Sequence, residues 1–140
     1  MPVVHFHLSE CSASEQQCRQ LLEFASQEYA RILEAPMERV RGMITVHRNH
    51  EMALQGKTLQ PGETGAPFFE AMVLRGRNLA LRSELMDIFT QGTAKILGID
   101  ASVIRGRIIQ VDPEDWCIAG KTAAEIRKAE IEARADASNN

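Results

Sequence analysis

Proline directly behind the first methionine is the residue with the most chemical potential in this 140-residue chain. A small second residue permits removal of Met1, and Pro2 then becomes a secondary amine at the start of the polypeptide. An ordinary α-amino group titrates near pKa ~8. Partial burial and nearby cations lower that value by disfavouring the ammonium form, which makes such an amine a general base near neutral pH. The plain alternative is a common second residue with no task. His5 and His7 lie two apart, so on a strand both rings point to one face, as metal ligands would. No carboxylate–histidine motif accompanies them or His47 and His50, so solvent-facing or interface histidines, and no metal, are expected. Arg75 and Arg77 bracket a glycine and read either as a strand-end ion pair or as a binding pair, whereas Arg39, Arg48, Arg82 and Arg107 read as surface charges. Glu114 and Asp115 could activate a water, but a solvated turn after Pro113 is the simpler reading.

These residues need elements to position them. Residues 2–8 alternate so that Val4, Phe6 and Leu8 share one face, which predicts a strand at the very start. Ser14 and Gln17 have capping-box spacing, and Cys18, Leu21, Leu22, Ala25, Tyr29, Ile32 and Leu33 make an apolar helical stripe ending before Pro36. Residues 40–47 are rich in β-branched side chains and predict a second strand. The glycine- and proline-bearing stretch from Gln55 to Ala66 reads as a connecting loop. The cycle then restarts: Phe68 to Leu74 suits a strand, Leu81, Leu85, Ile88, Phe89, Ile96 and Leu97 form a second helical stripe, and Val103 to Val111 makes a fourth strand.

The two cycles are copies of one plan. Sliding Leu33–Lys57 onto Leu97–Lys121, an offset of 64, gives six identities in 25 positions, clustered as Arg-Gly-x-Ile and Gly-Lys. At an offset of 65 the first strands align and Pro2 falls on Pro67. The expected domain is therefore a single unit over 1–134: repeat one at 2–57, a linker at 58–66, repeat two at 67–121 and a polar C-terminal helix at 122–134, with 135–140 a disordered tail. Right-handed βαβ units make each strand pair parallel, in one four-stranded sheet with both helices on one face. The other face then needs a cover, which another subunit would supply.

Composition bounds the remaining choices. The length allows one compact domain and excludes a large multidomain enzyme. At 44% hydrophobic and 25% charged residues, the chain can bury a core without disulfide or metal staples. Sixteen basic against nineteen acidic side chains leave no cationic excess for a run of phosphates, so nucleic acid is not an expected partner. Cys11, Cys18 and Cys117 are odd in number and not at zinc spacing, and the start lacks signal-peptide character, which together point to the reducing cytoplasm. No apolar run is long enough for a membrane span.

Specific motifs carry a resemblance over nearly the whole chain. Leu-Arg-Gly-Arg at 74–77, Ile-Arg-Gly-Arg-Ile-Ile at 104–109 and Asp-Trp-Cys-Ile-Ala-Gly-Lys at 115–121 resemble a whole subunit of 4-oxalocrotonate tautomerase. Pro2-Val-Val-His-Phe-His-Leu with Val40-Arg41-Gly42-Met43-Ile44 resembles a second copy. The resemblance is to the tautomerase superfamily, among duplicated-length members such as malonate semialdehyde decarboxylase, 5-carboxymethyl-2-hydroxymuconate isomerase and, last because it spaces its arginines more widely than Arg75 and Arg77, cis-3-chloroacrylic acid dehalogenase. It implies an α+β fold of tandem β-α-β repeats, a homotrimer and cofactor-independent chemistry on a small carboxylate substrate. By position, Pro2 matches the catalytic proline and Arg77 the arginine that binds a carboxylate; Arg75 joins it as in the decarboxylase, and Glu38 falls near the decarboxylase's catalytic aspartate. Arg41 and Arg105 both match the second-strand arginine that would polarise a carbonyl, and Trp116 sits at the family's aromatic wall. Bidentate guanidinium groups suit a carboxylate, and a cation beside the carbonyl suits a developing enolate. Pro67 is internal, so its nitrogen is an amide and one site per chain is expected. Ser12 stands in repeat one where repeat two has Arg77, so the arginine must reach Pro2 from repeat two or from a neighbouring subunit. The resemblance implies a tautomerase or isomerase of a 2-oxo or 2-hydroxy-dienoic acid, with a 3-oxo-acid decarboxylase and a non-catalytic binding module as alternatives.

Overall fold

The computed structural model describes residues 2–140. Strand β1 (Val3–Ser9), helix α1 (Glu15–Leu33) and strand β2 (Arg41–His47) form the first unit; β5 (Phe68–Leu74), α2 (Leu79–Leu97) and β6 (Arg105–Val111) form the second. Between and after them lie two small hairpins, β3–β4 (Ala53–Leu54, Lys57–Thr58) and β7–β8 (Cys117–Ile118, Lys121–Thr122), then α3 (Ala123–Ile126) and α4 (Lys128–Ser138). Strand pairing follows the sequence expectation. β1 pairs parallel with β2 and β5 parallel with β6, while β1 and β5 meet antiparallel at the centre, giving the order β2-β1-β5-β6.

The helices start and stop where side chains dictate. Ser14 caps α1 as half of a reciprocal box with Gln17, and Asn78 caps α2 by accepting from the Leu81 amide. Each helix runs 19 residues and ends on a left-handed residue, Glu34 in the first unit and Gly98 in the second. Their apolar stripes cover one face of the sheet, where Phe6, Phe69, Phe89 and Tyr29 pack edge to face around Leu21, Leu85 and Val4. Gly106 is fixed by packing: a Cβ there would sit 2.3 Å from the ring of Phe69.

The repeat extends into the connections. The stretch expected as an open loop from Gln55 contains the turn of β3–β4, with Gln55 at φ 55° and Gly56 at φ 79°. Ala119 and Gly120 repeat it in β7–β8 at φ 50° and 83°. Two successive positive φ values make the tight turn that matches strand twist, which is why glycine recurs at an offset of 64. The C-terminal segment differs from the single helix expected over 122–134. It bends at Arg127 into α3 and α4, and α4 continues to Ser138, through residues expected to fray. Alanine-rich composition favours helix there, and the forked pairing of Arg39 with Glu130 ties α4 to the body at 3.0 and 3.1 Å. No helix among the described residues is long and apolar enough to cross a membrane.

Candidate active site

Antiparallel pairing of β1 with β5 decides what surrounds Pro2. Val3 lies opposite Met72, so the start of β1 lies against the end of β5, and the residues that follow β5 are carried to Pro2 within one chain. A cavity of about 590 Å³ opens there. It is lined by Pro2, by Val73 and Leu74 of β5, by Leu33 to Pro36 at the end of α1, by Arg39 and Arg77, and by Arg127, Glu130 and Arg134 of the C-terminal segment. Pro2 itself is buried.

The electrostatics are one-sided. Four arginines face two glutamates, Glu34 and Glu130, across this cavity. Arg77 is half-buried and makes no side-chain hydrogen bond or salt bridge among the described residues. Burial, then the charge of Arg134, hold its guanidinium below the ordinary arginine value, with Glu34 and Glu130 pulling the other way. Arginine stays cationic regardless. Nε of Arg127 is buried with no partner. Unspent guanidinium donors in a concave, partly apolar site are what a carboxylate or similar anion needs. Glu130 is committed: the forked hydrogen bond from Arg39 keeps its carboxyl below the usual range and so ionised.

Glu34 occupies a left-handed backbone conformation, φ 50°, that a side chain rarely adopts. Its counterpart one repeat on is Gly98, at φ 67°. The first helix thus ends on a strained carboxylate that lines the cavity, where its copy ends on glycine.

The sequence-predicted residues divide into two groups. Pro2 and Arg77 come together on the cavity. Arg75 does not: Gly76, at φ 109°, turns the chain between the two arginines, and Arg75 pairs with Asp112 at the far side. Glu38 is exposed on a short 3₁₀ turn and offers its backbone carbonyl to Arg41 at 2.7 Å, so it does not line the cavity. Arg41 donates also to the Val40 carbonyl, and Arg105 makes the same fold-back to Ser102 and Ile104, at 2.6 and 2.9 Å. Both therefore buttress the turns before their strands. Trp116 is half-exposed beside the β7–β8 hairpin and away from the cavity of its own chain. Arg39, expected as a surface charge, lines the cavity instead, as do Glu34, Arg127, Glu130 and Arg134. The pairing of Glu34 with Gly98 across the repeat was the available sequence signal; the residues of α4 had none.

Comparison with known proteins bears on the architecture. No family model and no curated protein matches the chain. Among solved structures, native fused 4-OT superposes with a TM-score of 0.82 at 20% identity, covering 89% of this chain and 98% of that one. A symmetric trimer of wild-type fused 4-OT gives 0.76 at 18%, covering 86% and 95%. N1, a member of the cis-3-chloroacrylic acid dehalogenase family, gives 0.76 at 13%, covering 96% and 99%. Likeness at this level is likeness of fold, and it agrees with the repeat read from the sequence: the chain has the tautomerase-superfamily fold in its fused, two-repeat form.

Proposed function

We propose that this protein is a tautomerase-superfamily enzyme, a cofactor-independent keto–enol tautomerase or isomerase of a 2-oxo or 2-hydroxy-dienoic acid. The observation that carries the reading is that Pro2 and an unpaired Arg77, from opposite repeats, line one cationic cavity. Loss of Met1, which lies outside the described residues, frees the Pro2 amine. Burial, and the excess of four guanidinium groups over two carboxylates lining the cavity, disfavour its ammonium form and favour its action as a base. Arg77 holds the substrate carboxylate, with Arg127 and Arg134 completing the cationic wall. Pro2 takes the proton from carbon or oxygen and returns it at the other end of the conjugated system, while cationic donors stabilise the enolate between the two steps.

The working unit in this reading is a homotrimer. The sheet face opposite the helices is uncovered, and Met43 there is 48% exposed. Assembly on that face would cover it, and is the only way Arg75, Arg41, Arg105 or Trp116 could serve a site, namely a neighbour's. The reading as a 3-oxo-acid decarboxylase, in which Pro2 stays protonated with Glu38 as its partner, has less support, since Glu38 does not line the cavity of its own chain.

Intact-mass spectrometry and an enol-acid assay test the proposal together. A mass lacking Met1, with rapid ketonisation of a dienoic enol acid and no release of carbon dioxide, is the expected result. Carbon dioxide release from a 3-oxo acid without ketonisation would favour the decarboxylase; retention of Met1 and inactivity on both substrates would leave a binding module.

A further inference from the structure

The sheet face opposite the helices, on which the proposed trimer would assemble, carries a cluster that Pro2 chemistry does not use. His5 and His7 stand on β1, and β5 brings Glu70 directly opposite His5 in the strand register. This supplies the carboxylate that the sequence motif lacks, from 63 residues away in the chain, as 70 − 7 shows. We infer that His5, His7 and Glu70 form a site for a borderline divalent ion of the Zn²⁺ class, clasping repeat one to repeat two.

Geometry supports this at three points. One ligand atom from each residue lies within 4.8 Å of the others, and all three side chains are half-buried. His7 Nε2 lies 3.6 Å from Glu70 Oε2. Ligands about 2.1 Å from a tetrahedral ion are separated by roughly 3.4 Å, so this edge is already nearly correct. Each ligand is also held from behind. His5 Nε2 shares a hydrogen bond with Thr45 Oγ1 at 2.6 Å, and His7 Nδ1 shares one with His47 Nε2 at 2.9 Å, which leaves Nδ1 of His5 and Nε2 of His7, already facing Glu70, to hold an ion. Arg107 Nε donates to Glu70 Oε1 at 2.8 Å and leaves Oε2 for the ion. Metal-binding imidazoles and carboxylates are oriented in this manner by partners behind them.

Ligand type selects the metal. Two imidazoles and one carboxylate without thiolate suit Zn²⁺, Co²⁺ or Ni²⁺ over Mg²⁺ or Cu⁺. Three protein ligands leave at least one position for water. Because the ligands come from both central strands, an ion would staple the antiparallel seam at which the two repeats join. None of the three lines the Pro2 cavity.

The test uses the full chain, stripped with chelator and with its three free cysteines alkylated, titrated with Zn²⁺ by calorimetry and with Co²⁺ by absorption. One ion per chain is expected. His5→Ala and Glu70→Gln should each weaken binding by more than about 100-fold, and Thr45→Val, which removes a partner behind His5, by about 10-fold. His50→Ala, an exposed histidine elsewhere, should leave affinity unchanged. Zn²⁺ should raise the melting temperature of the wild type but not of Glu70→Gln. No saturable binding by the wild-type chain, or affinities of His5→Ala and Glu70→Gln within twofold of wild type, overturns the site. Should a ligand variant fail to fold, the Co²⁺ spectrum of the wild type decides alone: a tetrahedral spectrum saturating at one ion sustains the site, and its absence overturns it.

Discussion

Pro2 and Pro67 hold the same place in their repeats, and their surroundings begin alike. The backbone carbonyl of each accepts from the arginine that opens the neighbouring strand, Arg41 N to Pro2 O at 2.9 Å and Arg105 N to Pro67 O at 3.1 Å. Beyond that the two ends diverge. At the Pro2 end the walls are Ala35, Pro36 and Arg39; at the other end the matching positions, Ile99, Asp100 and Val103, line a second cavity without arginines. The Pro2 end is bounded by Arg127 and α4, which come after β8; the second cavity is bounded by Leu59 to Gly65, which follow β4. That linker is anchored, since Leu59 is buried and Ser9 Oγ donates to the Thr64 carbonyl at 2.6 Å. Duplication thus supplied two equivalent ends, and side-chain divergence with two different covers left one suited to bind an anion.

Substitutions that exchange the two ends probe this difference, and the proline swap has the largest expected effect. Under the proposed function Pro2→Ala exchanges the ring amine for a freely rotating primary amine and should lower kcat by about 10–100-fold, less than the ~10²–10⁴-fold that a positioned general base contributes in full. Pro67→Ala should leave kcat within about twofold, because its nitrogen is an amide. Equal losses from both would break the comparison.

The arginine swap comes next. Arg77→Ala removes the half-buried guanidinium and should cost about 10–100-fold in kcat/KM, the range of a charge-assisted hydrogen bond worth ~1.5–3 kcal/mol. Arg77→Lys should recover only part of it, since an ammonium cannot grip a carboxylate with two parallel donors. Ser12→Arg, which copies the arginine into repeat one, should create no second activity at Pro67. Steady-state kinetics on one enol acid reads all three.

Glu34→Gly makes the first helix end as the second does, at Gly98. It should stabilise the fold by about 1 kcal/mol by relieving a left-handed non-glycine residue, seen as a higher denaturant midpoint. If Glu34 tunes the arginines around the substrate, activity falls while stability rises. An unchanged kcat/KM would assign Glu34 to the helix end alone.

Much of this was legible in sequence because the signals were local. Ser14 with Gln17 announced a helix start, alternation announced β1, and the run Phe68–Leu74 was a strand to the residue. The Gly-Lys identity at an offset of 64 marked a repeat but not the two hairpins it belongs to, because the positive φ of Gln55 and Ala119 could not be read from residues with side chains. The site was half legible. Pro2 and Arg77 were assigned from motifs, but their meeting depends on antiparallel joining of the units, a tertiary choice. Glu130 and Arg134 were invisible because α4 gathers no apolar stripe on one side, so its periodicity gave no sign of which face would dock; Arg39, on the short turn before β2, was read as a surface charge because nothing local marks the cavity. Glu38 sits four residues from Glu34, and only the register of the turn after α1 decides which carboxylate faces the cavity.

The smallest effect lies inside the core, at the position where α1 carries Tyr29 and α2 carries Thr93. Both are fully buried. Tyr29 Oη donates to the Met72 carbonyl on β5, tying the first helix to the second repeat, and burial raises the phenol's pKa, so it stays a neutral donor. Thr93 Oγ1 is buried with no partner. The same site thus holds a satisfied hydroxyl in one repeat and an orphan in the other. Tyr29→Phe should destabilise by about 1 kcal/mol, the net worth of a neutral hydrogen bond plus the carbonyl left unpaired. Thr93→Val should stabilise by up to about 1 kcal/mol, because a methyl of the same size replaces a hydroxyl that lost its water on folding. Opposite signs in the denaturant midpoints are therefore expected from removing one oxygen at equivalent positions. Equal signs would mean that Thr93 finds a partner after all, in a buried water, and that the two helices are more alike at their centres than at their ends.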